Sequence, residues 1–407
     1  MSAIETARYP TGGSEPSRVA VDYLGDAWVV NREFDGVPSA TKIAGEAARC
    51  DDADMDGLET SSGPTDVRLL AQDECVRLSV SVGGALSVAR TIAIDGDTGL
   101  DGISGGDPWI GLHDGEAIVE LDGLSGAELR RVETPGFQPY ASTFDPWGIL
   151  WVISRDGHLA RIDPRPAEPT LDVIEVPLPC YLLYGIAADS DGRLLMTGFS
   201  CDRVVSYDPQ LDVWATRPAP TSPRAATYDG ADRFWIAHTA SMVSSIDIDP
   251  LHVDQTYSLL DGTTTPFETI GVAVDGFDQV WAISSQGGAE GNGLATRLDP
   301  SSGEVTAQVT VGRAPHVQGD LTGSRVIYRL VERAQATHVF PGCGPTVMTE
   351  WGAVHVAADP GAYGRLLVEA RHAASVAALG GAAWMELGEI PGRPSPYPLA
   401  LPVGGAV

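Results

Sequence analysis

Basic residues are scarce in this chain. Lys and Arg number 26 against 55 Asp and Glu among 407 residues, a net charge of -29. Such a surface repels phosphate backbones and anionic membrane surfaces, so nucleic acid is excluded as a partner. No apolar run reaches the roughly 18 residues of a spanning helix. The stretch MSAIETARYPTGGSEPSR lacks the basic and apolar regions of a secretory signal. Also missing are C-x-x-C, an H-x-x-x-H metal pair and a Gly-rich phosphate loop, and with them the commonest local signatures of redox, zinc and nucleotide chemistry.

Cysteines are few: Cys50 and Cys75 bracket one loop, Cys180 and Cys201 another, and Cys343 stands alone. Two locally paired disulfides suit an exported protein, extracellular or in the cell envelope; buried thiols are the alternative.

What the chain does have is a repeat. An apolar strand, an Asp, a turn and a second apolar strand often carrying Trp recur as VAVDYLGDAWVV at 19, STFDPWGILWVI at 142, IAADSDGRLLMT at 186, ATYDGADRFWIA at 226 and VAVDGFDQVWAI at 272. A modified copy, IAIDGDTGLDG, begins at 92, and a degraded one, VQGDLTGSRVIY, at 317. Each reads as a β-hairpin, and segments such as HLARIDP and RVVSYDP supply a third strand. The repeated Asp falls at 22, 95, 145, 189, 229, 275 and 320. The spacing approaches the roughly 40–45 residues of a four-stranded propeller blade. These copies predict an all-β chain: a β-propeller over residues 1–342, with seven blades, or six if the degraded copy is discounted. ETARYPTGG is expected to add an outer strand to the last blade. Residues 343–407 change pattern and read as a β-sandwich-like segment that the chain does not complete.

The gap of 73 residues between the first two repeat Asp positions holds an insertion at about 45–80. Within it, Asp52, Asp54 and Asp56 precede Gly57 in D-x-D-x-D-G spacing, and the carbonyl of Leu58 follows. Hard oxygen donors on alternate residues, followed by a sharp turn, suit Ca²⁺. Loop position 12 is Gly63 rather than Glu, so Asp73 or Glu74 beside Cys75 is expected to complete the set. A Cys50–Cys75 bridge would return those carboxylates to the loop. The expected role is structural, and a solvated acidic loop is the alternative.

A ligand site is expected at the mouth of the central channel, where segments entering the innermost strands converge. Ser17, Arg90, Tyr140, Tyr184, Arg224 and Ile270 stand five residues before their repeat Asp, and His316 stands four before Asp320. Arg90, Tyr140, Tyr184, Arg224 and His316 together predict a local cationic, aromatic patch suited to an anionic or aromatic ligand. Strand entry beside Pro16, Pro139, Pro223 and Pro315 is the plainer explanation of the same positions.

The repeats VAVDYLGDAWVV, GILWVISRDGHLARIDP and GVAVDGFDQVWAIS resemble the propeller superfamily of streptogramin B (virginiamycin B) lyase and NHL-like proteins. YPTGGSEPSRVAVDYLGDAWVVNR, the Cys-bracketed insertion, THVFPGC and AAWMELGEI are similar to bacterial exported proteins or lipoproteins in which a propeller precedes a β-sandwich. The first resemblance implies Mg²⁺-assisted elimination by His and Glu at the channel mouth. Here WVVN, WVIS, WIAH and WAIS stand where that family carries W-F-T-E. The expectation is therefore an exported, calcium-stabilised propeller that binds a small molecule, peptide or envelope component. A metal-dependent lyase acting at the mouth is the alternative.

Overall fold

The repeated Asp closes a tight turn between two antiparallel strands. The Oδ1 of Asp145 accepts the backbone N–H groups of Trp147 at 2.9 Å and Ile149 at 3.0 Å, while its Oδ2 accepts the Trp151 indole N–H at 2.8 Å. Asp275 does the same for Phe277, Gln279 and Trp281, and Asp229 for Ala231, Arg233 and Trp235. One carboxylate thus pairs the turn's own donors and orients the Trp two positions into the next strand.

In this computed structural model the described residues are 4–317, apart from 53, 96–104, 167, 178–181 and 261–266, together with 353–356, 366–373, 375, 378, 385–390 and 399–402. Two compact units divide the chain, Met1–Val326 and Ile327–Val407.

The first unit is a six-bladed β-propeller. Its blades are β1 (Pro16–Val21) to β4 (Val76–Ser81), β5 (Ala89–Ile94) to β8 (Glu128–Glu133), β9 (Ala141–Phe144) to β12 (Thr170–Glu175), β13 (Leu183–Ala188) to β16 (Val213–Pro218), β17 (Pro223–Tyr228) to β20 (Leu251–Ser258) and β21 (Thr269–Val274) to β24 (Glu304–Arg313). Each is a four-stranded antiparallel meander. The higher expected count of seven gives way to six, and the degraded copy around Asp320 lies outside the described residues.

Blades pack face to face through apolar clusters that alternate residues deliver to either side of each sheet. Trp28, Val30, Ile92 and Leu112 join the first two blades; Trp109, Ile118, Leu150 and Ile162 join the next two. Trp151 and Met196, Leu195 and Ile236, and Trp235 and Val272 mark the three that follow.

The insertion occupies residues 44–75, between β3 (Ser39–Ile43) and β4, on the outer half of the first blade. Residues 4–15 are not an outer strand of the last blade. Ala7 instead bridges Gly63 in the insertion, and the Thr11 carbonyl accepts from Asn31 and Thr41 of the first blade.

In the second unit, β25 (Ala353–Val356) pairs antiparallel with β28 (Leu399–Pro402), and β26 (Leu366–Ala370) with β27 (Met385–Ile390).

Candidate functional site

A β-bulge recurs at the entry of the innermost strand. Pairing with the second strand slips between Pro16 and Arg18, Ala89 and Thr91, Leu183 and Ile186, Pro223 and Ala226, and Thr269 and Gly271. Ser17, Arg90, Tyr184, Arg224 and Ile270 sit in those slips, so the backbone frees these residues from ladder geometry at one end of the channel. Tyr140 stands just before β9, its N–H donating to the Ile153 carbonyl at 2.8 Å. Gly185 makes the approach close: a Cβ there would lie 2.5 Å from the Arg224 carbonyl oxygen.

The bulge residues do converge. The Tyr140 and Tyr184 rings meet edge to face at 5.6 Å, and the Arg90 guanidinium lies 5.7 Å from the Tyr140 ring centre. Arg224 donates to the Tyr184 hydroxyl at 2.8 Å, with its guanidinium 5.1 Å from that ring and 4.9 Å from the Phe199 ring. Ser17 and Ile270 are buried and add no charge.

Sequence reasoning missed four neighbours, Arg18, Arg32, Phe34 and Arg155. Arg18, one residue beyond Ser17, is 1% exposed, 5.0 Å from the Tyr140 ring, and donates to the carbonyls of Arg90 and of Tyr140, the latter at 3.1 Å. Arg155 approaches Tyr140 at 5.4 Å, while Arg32 lies 4.9 Å and Arg90 5.4 Å from the Phe34 ring. Arg32, Phe34 and Arg155 come from loops between second and third strands, which the repeat alignment did not cover. Glu268, just before β21, pairs with Arg224 and accepts from Ser285 at 3.3 Å.

Charge in the mouth is uneven. Arg18, Arg90 and Arg155 surround one phenol with no carboxylate partner among the described residues, and Arg32 has only Glu15, at 3.9 Å. The Nε atoms of Arg32 and Arg90 and the Nδ1 of His316 are buried without a hydrogen-bond partner among the described residues. Burial raises the Tyr140 phenol, but Arg18, Arg90 and Arg155 together outweigh it and bring it below the usual tyrosine value. Burial, and then Tyr140 beside it, pushes Tyr184 up to about 12. Burial, followed by Arg18, Arg32 and Arg90, holds the His316 imidazole down to about 4, so it is neutral at pH 7. These last effects place His316 in the same field as the arginines.

In the insertion, Cys50 and Cys75 are disulfide-bonded. Cys201 is disulfide-bonded as well, and its expected partner, Cys180, lies outside the described residues, as does Cys343. Asp52, Asp54 and Glu74 bring carboxylate oxygens within 4.8 Å of one another, and the Asp52 Oδ1 is buried without a partner. Three carboxylates at that separation repel unless a cation or proton lies between them. This donor set fits a hard divalent ion. Asp73 does not join it: its oxygens accept from Thr60, Ser61 and the Cys75 N–H, which fixes the base of the loop. Asp56 lies outside the three; its N–H faces Asp54 at 3.4 Å, and hydrogen bonding to Asp54 followed by that carboxylate's charge raises its pKa. Leu58 has an exposed side chain.

No protein-family model matches the chain, and no curated protein matches it. Solved structures do. Virginiamycin B lyase from Staphylococcus aureus aligns with a TM-score of 0.56 and 13% identity over 75% of this chain and 88% of its own. The RRP9 WD40 repeats give 0.58 and 10% over 78% and 87%. The Cps50 (Swd1) β-propeller domain of Myceliophteria thermophila gives 0.56 and 12% over 79% and 93%. At such identities the likeness establishes the β-propeller fold, on which lyases and WD40 scaffolds alike are built.

Proposed function

We propose that this chain is an exported binding protein that holds an anionic ligand at the mouth of its propeller. The observation that carries the reading is the set of guanidiniums around Tyr140 with no carboxylate partner among the described residues, together with the buried, unpaired Nε of Arg90 there and of Arg32 beside Phe34. An unpaired buried donor costs about 1–3 kcal/mol, more when charged, so the cluster is stabilised by an anion that supplies the missing acceptors. Arg18, locked to backbone carbonyls, props the floor; Arg90, Arg32 and Arg155 face the ligand. Thermal unfolding in millimolar acetate, citrate, sulfate and phosphate tests this. A rise in Tm with one or more anions that disappears in Arg90→Ala supports the site; equal shifts in wild type and variant, or none in either, reject it.

A metal-dependent elimination of the streptogramin lyase kind finds less support. Glu268 is bound to Arg224, and His316 faces guanidiniums rather than carboxylates. Among the described residues, the group of three that suits a metal ion lies in the insertion. The mouth residues therefore do not fit Mg²⁺.

The insertion is proposed as a Ca²⁺-held staple, with Asp52, Asp54 and Glu74 as ligands beside the Cys50–Cys75 bridge. Thermal unfolding under non-reducing conditions should show a Tm raised by Ca²⁺ in wild type and unmoved by Ca²⁺ in Asp54→Ala. A Ca²⁺ response that survives the substitution would place the ion elsewhere. Export fits the disulfides, and no helix among the described residues is long and apolar enough to cross a membrane.

A further inference from the structure

The mouth is built in two unlike halves, and the difference specifies more than an anion. On the side of the first three blades, Arg32, Arg90 and Arg155 present positive charge. On the side of the last two, each Arg224 nitrogen already has a partner: they donate to Thr239 at 3.0 Å, to Tyr184 at 2.8 Å and to Glu268. The Glu268 side chain is nonetheless 37% exposed, so a carboxylate whose charge is cancelled by its neighbour still opens to solvent. Between the halves lie the Tyr140 and Tyr184 rings, and Phe34, 39% exposed, presents an apolar face beside Arg32 and Arg90.

We infer that the ligand is a hydroxylated carboxylate of the acidic-sugar class, with its carboxylate on Arg90 and Arg32 and its hydroxyls on the Arg224–Glu268 pair. This rests on the anion-binding reading above and extends it. A sulfate or fully ionised phosphate is acceptor-only and offers nothing to the open Glu268 oxygen, whereas a sugar hydroxyl donates to it. Glu268 accepts such a proton at the oxygen that now meets Ser285 at 3.3 Å, a contact at the long end of hydrogen bonding. An exposed aromatic face suits the apolar C–H face of a sugar ring. Electrostatics over the whole molecule points the same way. A net charge of -29 penalises densely charged polyanions at long range, whereas one carboxylate per ring meets less repulsion before the local guanidiniums act.

The test is calorimetric titration with three probes: uronic acid oligosaccharides (oligogalacturonate and oligoglucuronate), the neutral oligosaccharide maltotriose, and inorganic phosphate. Wild type is compared with Arg90→Ala and Glu268→Gln, with unchanged Tm confirming that each variant folds. The expected result is binding of at least one uronide, none of maltotriose, and phosphate weaker than the uronide. Arg90→Ala should weaken the uronide by about 10- to 100-fold, as loss of a charge-assisted pair does, and Glu268→Gln by about 10-fold, with phosphate unaffected or strengthened. Phosphate binding as tightly as the uronides, with Glu268→Gln silent on all of them, would overturn the sugar assignment and leave anion binding intact. No binding of any probe by wild type would overturn both.

Discussion

Tyr140 and His316 answer to the same cations in ways that can be measured separately. Guanidiniums favour an anionic phenolate and disfavour an imidazolium, so one cluster lowers both values. Tyr140 is therefore expected to give an early phase, below the usual tyrosine value, in a titration followed at 295 nm, while Tyr184 ionises only near 12. Tyr140→Phe should remove the early phase, and Arg90→Ala should move it upward. An early phase unchanged in Tyr140→Phe would mean that the guanidiniums do not act on this phenol. On the acid side, burial holds His238 down to about 4 as well, between the Pro220 carbonyl at 3.2 Å and Ser244 at 2.9 Å. Both imidazoles take a proton in the unfolded chain near pH 6.5 but resist it when folded. Their contribution to stability is complete above about pH 6.5 and falls as pH drops towards 4. Urea unfolding across that window should show the loss, and His238→Asn should flatten it.

At the scale of elements, the hairpin rule was readable because it is local: Asp, turn and Trp lie within seven residues, and a carboxylate's two oxygens suffice to organise them. Asp145→Ala and Asp275→Ala each strand two backbone donors and an indole N–H, and burial of Asp145 leaves water a poor substitute. A loss of about 1–3 kcal/mol is expected in urea unfolding for Asp145→Ala, whose stranded donors are buried, and a smaller one for Asp275→Ala, whose turn is open to water. The first blade is built differently. Lys42, the chain's one lysine, reaches Asp22 at 2.9 Å and Asp26 at 3.8 Å, and Trp28 receives the ammonium at 5.4 Å from its ring instead of a carboxylate on its N–H. Lys42→Met leaves two buried carboxylates short of a cation, so its cost should exceed either Asp substitution, at roughly 3–5 kcal/mol. A smaller cost than Asp145→Ala would show that Arg49, 2.7 Å from Asp26, compensates alone. The bulges were not readable. A one-residue slip is invisible to a spacing rule, and counting back five residues from Asp22 reached Ser17 when the cation packed on Tyr140 is Arg18.

For the whole molecule, spacing carried the propeller but not its blade count, because one degraded copy weighs equally in a list of positions and unequally in a ring. Composition carried the global sign of charge but not its distribution: the mouth arginines come from the first, second, third and fifth blades, spread from Arg18 to Arg224. The two signs together make a kinetic prediction. At about 0.01 M salt the screening length is roughly 30 Å, so an approaching anion feels the net charge of -29; at about 0.15 M it is roughly 8 Å, and only the mouth acts. The association rate of an anionic ligand should therefore rise as salt is raised from the lowest concentrations, the reverse of ordinary steering. Further salt should then speed dissociation by screening the guanidinium contacts, so affinity peaks at intermediate ionic strength. Stopped-flow binding of a fluorescent uronide across this range separates the two limbs. An association rate that falls steadily from the lowest salt upward would mean that the arginine cluster, not the acidic surface, governs the approach.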